Sequence, residues 1–174
     1  MRIISLVPVG RVERAHLELL GETLALRLRA ACLIQPQWQD GEFAYNPPRG
    51  QYHSTEILKR LLQDPRAESW RILGVTDVDL YIPILTFVFG EAQLGGNAAL
   101  VSTHRLRPEF YGMPRDPELL HQRLVKEALH ELGHTLGLRH CPDYVCVMSA
   151  SHSADRIDLK EADFCLDCAA AAGL

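Results

Sequence analysis

Three histidines and a glutamate stand close together between residues 130 and 140. His130 and His134 are four residues apart, so a helical backbone places both imidazoles on one face, one turn apart. Gly137 can take the left-handed conformation at a helix end and let the chain turn back with His140. Three neutral imidazoles and one open position form the ligand set of a catalytic zinc. We therefore predict a metal site at His130, His134 and His140.

Glu131 is placed to act beside that metal without binding it. Zinc lowers the pKa of a coordinated water to about 7 and polarises a carbonyl, as amide hydrolysis requires. Glu131 would accept the proton of that water and pass it to the leaving amine. The alternative is that two surface histidines on a helix meet a third by accident. The added spacing to Gly137 and His140 makes that alternative the weaker one.

Four cysteines near the end of the chain form two close pairs, Cys141-x4-Cys146 and Cys165-x2-Cys168. Four thiolates form a closed tetrahedral site, which is structural and not catalytic. Two disulfides, a redox pair or unrelated buried thiols are the alternatives. We predict a second zinc ion on these four thiols. The fifth cysteine, Cys32, is expected to be a small buried hydrophobic residue.

One long helix is expected to carry the first two histidines. Asp116 and Pro117 predict its start as cap and first-turn proline. Apolar residues follow on one side at helical spacing, and Arg123, Glu127, His130 and His134 fall on another. The apolar side should hold the helix to a sheet and leave the histidines at the rim of a cleft. It consists of Leu120, Leu124, Val125, Ala128, Leu129, Leu132 and Leu136.

The remaining pattern predicts an alternation of strands and helices. Ser54 is expected to cap a helix, and the strand over residues 98–103 is expected to be an edge strand to which a peptide could pair. Strands are predicted over residues 3–9, 32–34, 71–81 (with a turn near Asp77), 85–90 and 98–103, and helices over 12–29, from 54 onward and over 157–170.

Length and composition favour one soluble domain over residues 1–174, with a sheet and helix part at 1–140 and a cysteine-bearing part at 141–174. The net charge of −4 is mixed along the chain without a long basic run, so neither nucleic acid nor an anionic membrane is expected as a partner. No apolar stretch is long enough to span a bilayer. Without a secretory signal, the expected location is the reducing cytoplasm, where cysteines serve as metal ligands more often than as disulfides.

The pattern His-Glu-x-x-His-x-x-Gly-x-x-His is the metzincin signature. A cysteine follows this pattern directly, and then come x4-Cys-x-Met and a later Cys-x-x-Cys. With these additions the chain resembles the archaemetzincin family. The resemblance is close over residues 127–168 and extends to residues 73–79 and 87–102. The resemblance implies an α/β fold: a compact metzincin-like domain with a twisted, mostly parallel mixed sheet packed on two long helices, a smaller irregular C-terminal part and a short final helix.

The same resemblance implies roles for single residues. It implies a catalytic zinc at His130, His134 and His140, Glu131 as the base, Met148 as the methionine that packs below the metal, and a second zinc on the four cysteines. Some metzincins carry a tyrosine two residues after that methionine, but Ala150 stands there. No phenol is therefore expected from that position.

The sequence thus predicts a zinc-dependent metallopeptidase with two zinc ions, acting on a peptide or small protein. One alternative is a peptide-binding module that retains zinc with little or no proteolysis, although such a module has no need of Glu131. A zinc-dependent amidase acting on a non-peptide bond would use the same residues. A purely structural zinc protein would require a fourth protein ligand at the histidine metal.

The two predicted metals should influence each other. His140 and Cys141 are neighbours, so the ions should lie within about 10 Å or a little more of each other, given the reach of the chain. Cys146 is two residues from Met148. We therefore expect the cysteine zinc to fix the loop that carries both His140 and Met148.

Overall fold

A five-stranded, mostly parallel sheet lies at the centre of the fold. The computed structural model describes residues 1–36, 38, 40–63 and 69–174. The described part of the chain contains the strands β1 (Ile3–Pro8), β2 (Ala31–Ile34), β3 (Tyr45–Asn46), β4 (Gln51–His53), β5 (Arg71–Thr76), β6 (Leu80–Tyr81), β7 (Gly90–Ala92) and β8 (Ala98–Ser102). The central sheet has the order β2-β1-β5-β8-β7, in which only β7 is antiparallel to its neighbour. A small second sheet has the order β3-β4-β6.

Helices cover both faces of the central sheet. They are α1 (Arg14–Leu28), α2 (Ser54–Leu62), α3 (Pro117–Thr135), α4 (Ala154–Leu159) and α5 (Leu166–Ala172). Successive strand residues point to opposite faces of a sheet. Leu73 and Val75 of β5 accordingly pack in the core with α1 and α3, whereas Ile72 packs in the core with α2. The predicted α/β fold, with two long helices against a mostly parallel sheet, is confirmed.

The predicted edge strand is not at an edge. β8 pairs with β5 on one side and with β7 on the other, and all five of its residues are buried. The apolar sequence Ala-Ala-Leu-Val-Ser is what a strand covered on both faces requires. The outermost strand on this side of the sheet is β7, so the expectation that a peptide pairs with residues 98–103 is wrong.

The strand predicted over residues 85–90 is also wrong in its bounds, because β7 begins only at Gly90. At residues 85 and 86 the backbone carbonyls accept hydrogen bonds from side chains, and Val88 makes only an isolated bridge to Leu80 of β6. Arg49 donates to the carbonyls of Leu85 and Thr86, at 2.8 and 3.0 Å, and Gln51 donates to that of Thr86 at 3.0 Å. Side chains from elsewhere in the chain therefore satisfy the first two carbonyls of this segment, and regular pairing with β8 is established only from Gly90 onward.

Two helix predictions also need correction. His53, not Ser54, is the residue before α2, and the Ser54 hydroxyl bonds instead to the Tyr81 carbonyl and the Glu91 carboxylate. The single helix predicted over residues 157–170 is two short helices, because Lys160 and Cys165 are extended. Among the described residues, no helix is long and apolar enough to cross a membrane.

Candidate active site and metal centres

The end of α3 determines where the three histidines point. At the other end of this helix, Asp116 accepts a hydrogen bond from the Leu119 amide at 3.0 Å, as predicted for the cap. The helix ends at Thr135, and Gly137 takes a φ of +89°. The Leu138 amide then donates back to the Gly133 carbonyl at 3.1 Å. This left-handed turn reverses the chain and returns it towards the histidines.

The structure brings the three histidines together. His130 and His134 share one face of α3, with their Nε2 atoms 3.1 Å apart. Ring centroids within the trio lie between 4.6 and 5.3 Å apart, and one ring nitrogen from each residue lies within 4.8 Å of the others. Nitrogens about 2.1 Å from a shared zinc stand about 3.4 Å apart in a tetrahedron. The trio therefore fits a zinc ion, with His140 exposed at the open side.

Backbone carbonyls fix the orientation of two of these rings. His130 Nδ1 lies 2.8 Å from the Val147 carbonyl, and His134 Nδ1 lies 2.8 Å from the Leu138 carbonyl. A carbonyl only accepts, so Nδ1 carries the proton in both rings and the lone pair is on Nε2. Both lone pairs then face the space shared by the trio, the arrangement of metal-binding histidines.

Burial keeps the three imidazoles neutral, the form that binds metal. Burial lowers the pKa of His130 to about 3, and the nearby charge of Lys160 lowers it further, against the opposing effect of the Val147 hydrogen bond. Burial also lowers the pKa of His134 and of His140. A bound cation would therefore not have to displace protons from these rings near neutral pH.

Glu131 lies beside the trio and is 7% exposed. Burial raises the pKa of its carboxyl group well above the ordinary value, and the carboxylates of Glu127 and Glu91 raise it further, against the effect of Lys160. A raised pKa makes the carboxylate a stronger proton acceptor, which suits a general base. Its side chain also touches the start of β7 at Gly90.

An open cleft of about 420 Å³ runs across the histidines and Glu131. One wall is formed by residues 85–92, which lead into and include β7, and residues 150–152 also line the cleft. The first wall is largely apolar, with Phe87 and Phe89 in edge-to-face contact at 5.2 Å. A cleft lined by apolar side chains with a few convergent polar groups is typical of a ligand-binding or active site.

Glu91 is a cleft residue that sequence analysis did not single out. Its carboxylate accepts hydrogen bonds from the hydroxyls of Ser54 and Thr55, the latter at 2.8 and 3.0 Å. Both hydroxyls belong to the first turn of α2, more than 30 residues earlier in the chain. No local pattern around Glu91 could have revealed this contact, because its partners come from another element.

The four paired cysteines also converge. The sulfurs of Cys141, Cys146, Cys165 and Cys168 all lie within 4.8 Å of one another, and those of Cys141 and Cys165 are 3.8 Å apart. Sulfurs about 2.3 Å from a zinc ion stand about 3.8 Å apart in a tetrahedron, so the group fits zinc. Cys32 belongs to neither group; it is half-buried, and burial raises the pKa of its thiol to about 11.

Residues 146–149, here called the methionine turn, join the two groups. The Cys141 amide donates to the Met148 carbonyl at 3.0 Å. Cys146 Sγ lies 3.5 Å from the Met148 amide. Val147 between them supplies the carbonyl that faces His130. The turn that carries the Cys146 thiol and bonds to the Cys141 amide is therefore also the turn that orients the first histidine.

Residues 27–172 match the family described as Peptidase family M54. The chain belongs to this family, the archaemetzincins. It is 47% identical over 165 residues to the archaemetzincin of Methanocaldococcus jannaschii, covering 95% of this chain and 89% of the relative. It is 40% identical over 174 residues to that of Thermococcus kodakarensis, covering 97% and 94%.

Solved archaemetzincin structures have the same fold. The structure from Archaeoglobus fulgidus, complexed with malonate, superposes with a TM-score of 0.86 at 39% identity, covering 97% of this chain and 99% of that one. The structure from Methanopyrus kandleri gives 0.87 at 38% identity, covering 99% and 93%. This archaemetzincin-family chain is accordingly a zinc metallopeptidase, as the sequence predicted.

Proposed function

We propose that His130, His134 and His140 hold the catalytic zinc and that Glu131 is the general base. The observation that carries this proposal is the convergence of the three imidazoles at the floor of an open cleft, with a buried carboxylate beside them. Three protein ligands leave one position for water or substrate, as catalytic zinc requires. A purely structural site would instead be closed by a fourth side chain.

We further propose that Cys141, Cys146, Cys165 and Cys168 hold a second, structural zinc, giving two ions per chain. The sulfur separations support this because they suit a tetrahedron. Residues 1–174 would then act as one catalytic domain whose part after residue 140 is organised by the cysteine metal. Thiols remain available as ligands in a reducing compartment, which supports the cytoplasm as the working location.

The proposed reaction is hydrolysis of a peptide bond. Zinc, when bound, supplies the Lewis acidity that polarises the scissile carbonyl and lowers the pKa of water. Glu131 takes the proton from the attacking water and delivers it to the leaving amine. The Val147 and Leu138 carbonyls hold the protons on His130 and His134 Nδ1 and so keep both rings oriented. Ala150 offers no phenol, so no tyrosine from that position assists the reaction.

An extended peptide would lie along β7, the outermost strand beside the histidines. Unpaired backbone groups of an edge strand can bond to a peptide as an added strand. Among the described residues, β8 is the one strand paired with β7, and it occupies one side of β7 only. The adjoining wall at residues 85–89 would then contact apolar side chains of the substrate.

The test is proteolysis of a diverse peptide pool by zinc-loaded protein, with new termini read by mass spectrometry. The matched control is Glu131→Gln, which keeps the size of the side chain but cannot accept the proton. We expect cleavage by the native protein and a loss of at least about 100-fold in the variant. Binding without Glu131-dependent cleavage, with metal confirmed in both groups, would overturn the proposal and favour the peptide-binding module.

A further inference from the structure

The side chain of Lys160 lies inside the protein, beneath the methionine turn, and the residue is 2% exposed. Lysine is almost never fully buried unless its charge is paired. Its Nζ donates to Glu127 Oε1 at 3.2 Å, to the Val147 carbonyl at 3.2 Å and to the Ser149 carbonyl at 3.0 Å. An ammonium group has three protons, and each of them has an acceptor here.

These three acceptors belong to the two elements that meet at the histidine site. The Val147 and Ser149 carbonyls flank Met148 on either side. Glu127 lies on α3, three residues before His130 and one turn before Glu131, and it lines the floor of the cleft. The single ammonium therefore ties the backbone of the methionine turn to the helix that carries two histidines and the general base.

One of these carbonyls also contacts a proposed metal ligand. The Val147 oxygen accepts from both Lys160 Nζ, at 3.2 Å, and His130 Nδ1, at 2.8 Å. A carbonyl that orients a histidine determines where Nε2 points, and loss of such a partner weakens metal binding. Holding the Val147 carbonyl in place thus holds the His130 ring in place.

Stability alone does not explain this arrangement. Replacing a buried ion pair with apolar residues of similar volume is often neutral or even stabilising, because burying two charges is costly. The Lys160–Glu127 pair, with side chains 1% and 4% exposed, is of this costly kind. Apolar side chains could fill the space, but they could not donate to two carbonyls on either side of one residue.

We propose that Lys160 is a positioning residue of the catalytic metal centre, fixing the methionine turn to α3 so that the Val147 carbonyl orients His130. This rests on the proposed function, because it takes His130 as a ligand of the catalytic metal. Lys160 touches neither the substrate nor the reacting atoms in this account. It acts through two carbonyls and one imidazole.

The test removes the ammonium without leaving a buried charge unpaired. Lys160→Met alone would strand the Glu127 carboxylate and could unfold the protein, so the principal variant is Glu127→Leu/Lys160→Met. Zinc affinity of the histidine site is measured by competition with a chelator, beside His134→Ala as the variant without that site. The histidine site is then loaded with cobalt, with zinc kept in the cysteine site, and its absorption spectrum is recorded.

A second ion pair joins α3 to α4, the short helix that ends just before Lys160, and it provides the matched control. Arg123 of α3 bonds to Asp158 at 2.8 and 2.7 Å and to the Leu106 carbonyl at 3.0 Å, but to no carbonyl of the methionine turn. The variant Arg123→Met/Asp158→Asn breaks that pair. It should lower thermal stability while leaving the zinc affinity and the cobalt spectrum of the histidine site unchanged.

We expect the Glu127→Leu/Lys160→Met protein to fold and to bind zinc at the histidine site about 10- to 100-fold more weakly. Its cobalt spectrum should change, and kcat should fall more than KM rises. Unchanged affinity and spectrum would overturn the role of Lys160, as would an equal change in the Arg123→Met/Asp158→Asn control. The comparison with His134→Ala separates failure of the Lys160 role from failure of the proposed function. If the native protein bound no more metal than His134→Ala does, the proposed function itself would be overturned.

Discussion

Gly133 lies so close to Met148 that a β-carbon at residue 133 would stand 2.3 Å from the Met148 sulfur and 3.1 Å from a ring carbon of Phe164. Real β-carbons essentially never lie within 3.0 Å of another heavy atom, so the Met148 sulfur would have to move. Gly133 stands between Glu131 and His134 on the buried side of α3. The absence of a side chain there is what lets the methionine turn pack directly under the histidines.

Substituting Gly133→Ala should therefore push Met148 away from α3. Alanine favours a helix over glycine by about 1 kcal/mol, but overpacking a close contact costs about 1–3 kcal/mol. We expect a net loss of stability together with weaker metal binding at the histidine site. Thermal unfolding and chelator competition measure the two effects.

Gly21→Ala is the control for that substitution. Gly21 is a buried glycine within α1, where a β-carbon would lie 3.3 Å from a Leu6 methyl group and 3.4 Å from the Cys32 β-carbon. It contacts neither metal group. If both substitutions changed metal affinity equally, the packing of Gly133 on Met148 would not be the cause.

Gly90 in β7 packs against Glu131, the proposed general base, in a similar way. A β-carbon there would stand 2.5 Å from the Leu100 carbonyl oxygen and 2.9 Å from Glu131 Oε1. The Leu100 backbone cannot move easily because β8 is hydrogen-bonded on both sides. Gly90→Ala should therefore displace Glu131 and lower kcat by about 100-fold, since small misplacements of catalytic groups carry that cost. Steady-state kinetics with metal content measured in parallel test this.

Gly74→Ala serves as the comparison for Gly90→Ala. Gly74 is a buried glycine in β5, and its added β-carbon would meet methyl groups of Leu61 and Leu100 at 2.6 and 3.0 Å. We expect this variant to lose stability but to keep the kcat of its folded fraction. A normal kcat in Gly90→Ala would contradict the assigned contact with Glu131.

The coupling of the two metal groups can be tested at Cys146. Its sulfur lies 3.4 Å from the Cys165 amide and 3.5 Å from the Met148 amide. Cys146→Ser should release the cysteine metal and, by loosening the methionine turn, also weaken metal binding at the histidines by about 10-fold or more. Metal analysis before and after dialysis against a chelator measures both sites.

Cys32→Ser is the matched substitution outside the cysteine group. It should leave the metal content unchanged, because Cys32 lies at the sheet and helix core and not near the other thiols. A fully occupied, unchanged histidine site in Cys146→Ser would refute the coupling.

The histidine site could be predicted from the sequence because its geometry is local. His130 and His134 are related by one helical turn, and Gly137 marks the reversal that returns His140. The two cysteine pairs are less local, because 18 residues that include α4 separate Cys146 from Cys165. The spacing within each pair was nevertheless sufficient to group the four thiols. The fold class followed from the same motif through the family it resembles.

Contacts between distant segments could not be predicted in this way. The strand predicted over residues 98–103 was expected at an edge, because nothing in its own residues reveals that β7 pairs beyond it. The wall at residues 85–89 has strand-like composition, but the side chains of Arg49 and Gln51 bind the carbonyls of Leu85 and Thr86. Lys160 stands in an ordinary polar stretch, and only the folded chain brings it beneath Met148.

The ion pair between Asp79 and Arg105 gives a pH-dependent prediction. Both carboxylate oxygens accept from the guanidinium, at 2.6 and 2.7 Å, and Gln51 donates to one of them at 3.1 Å. Burial raises the pKa of Asp79, but the hydrogen bonds and charge of Arg105 outweigh it, so the pKa lies below the ordinary value of 3.8. The side chains of Asp79 and Arg105 are only 14% and 20% exposed, respectively, so solvent screens this pair little.

A lowered pKa in the folded state means that the ionised Asp79 stabilises the fold at any pH above about 4. This contribution is lost as the pH falls below 3.8 and through the folded-state pKa, because the unfolded chain then binds the proton more readily. Asp79→Asn should lower the free energy of unfolding at pH 7 by about 1–3 kcal/mol. The difference in unfolding free energy between Asp79→Asn and the native protein should shrink as the pH falls from 4 to 2.

Urea unfolding at several pH values measures this difference. The control is Glu18→Gln, which breaks an exposed pair with Arg14 and is expected to change the stability little. A constant difference across that range would show that the ionised carboxylate is not the source of the stability.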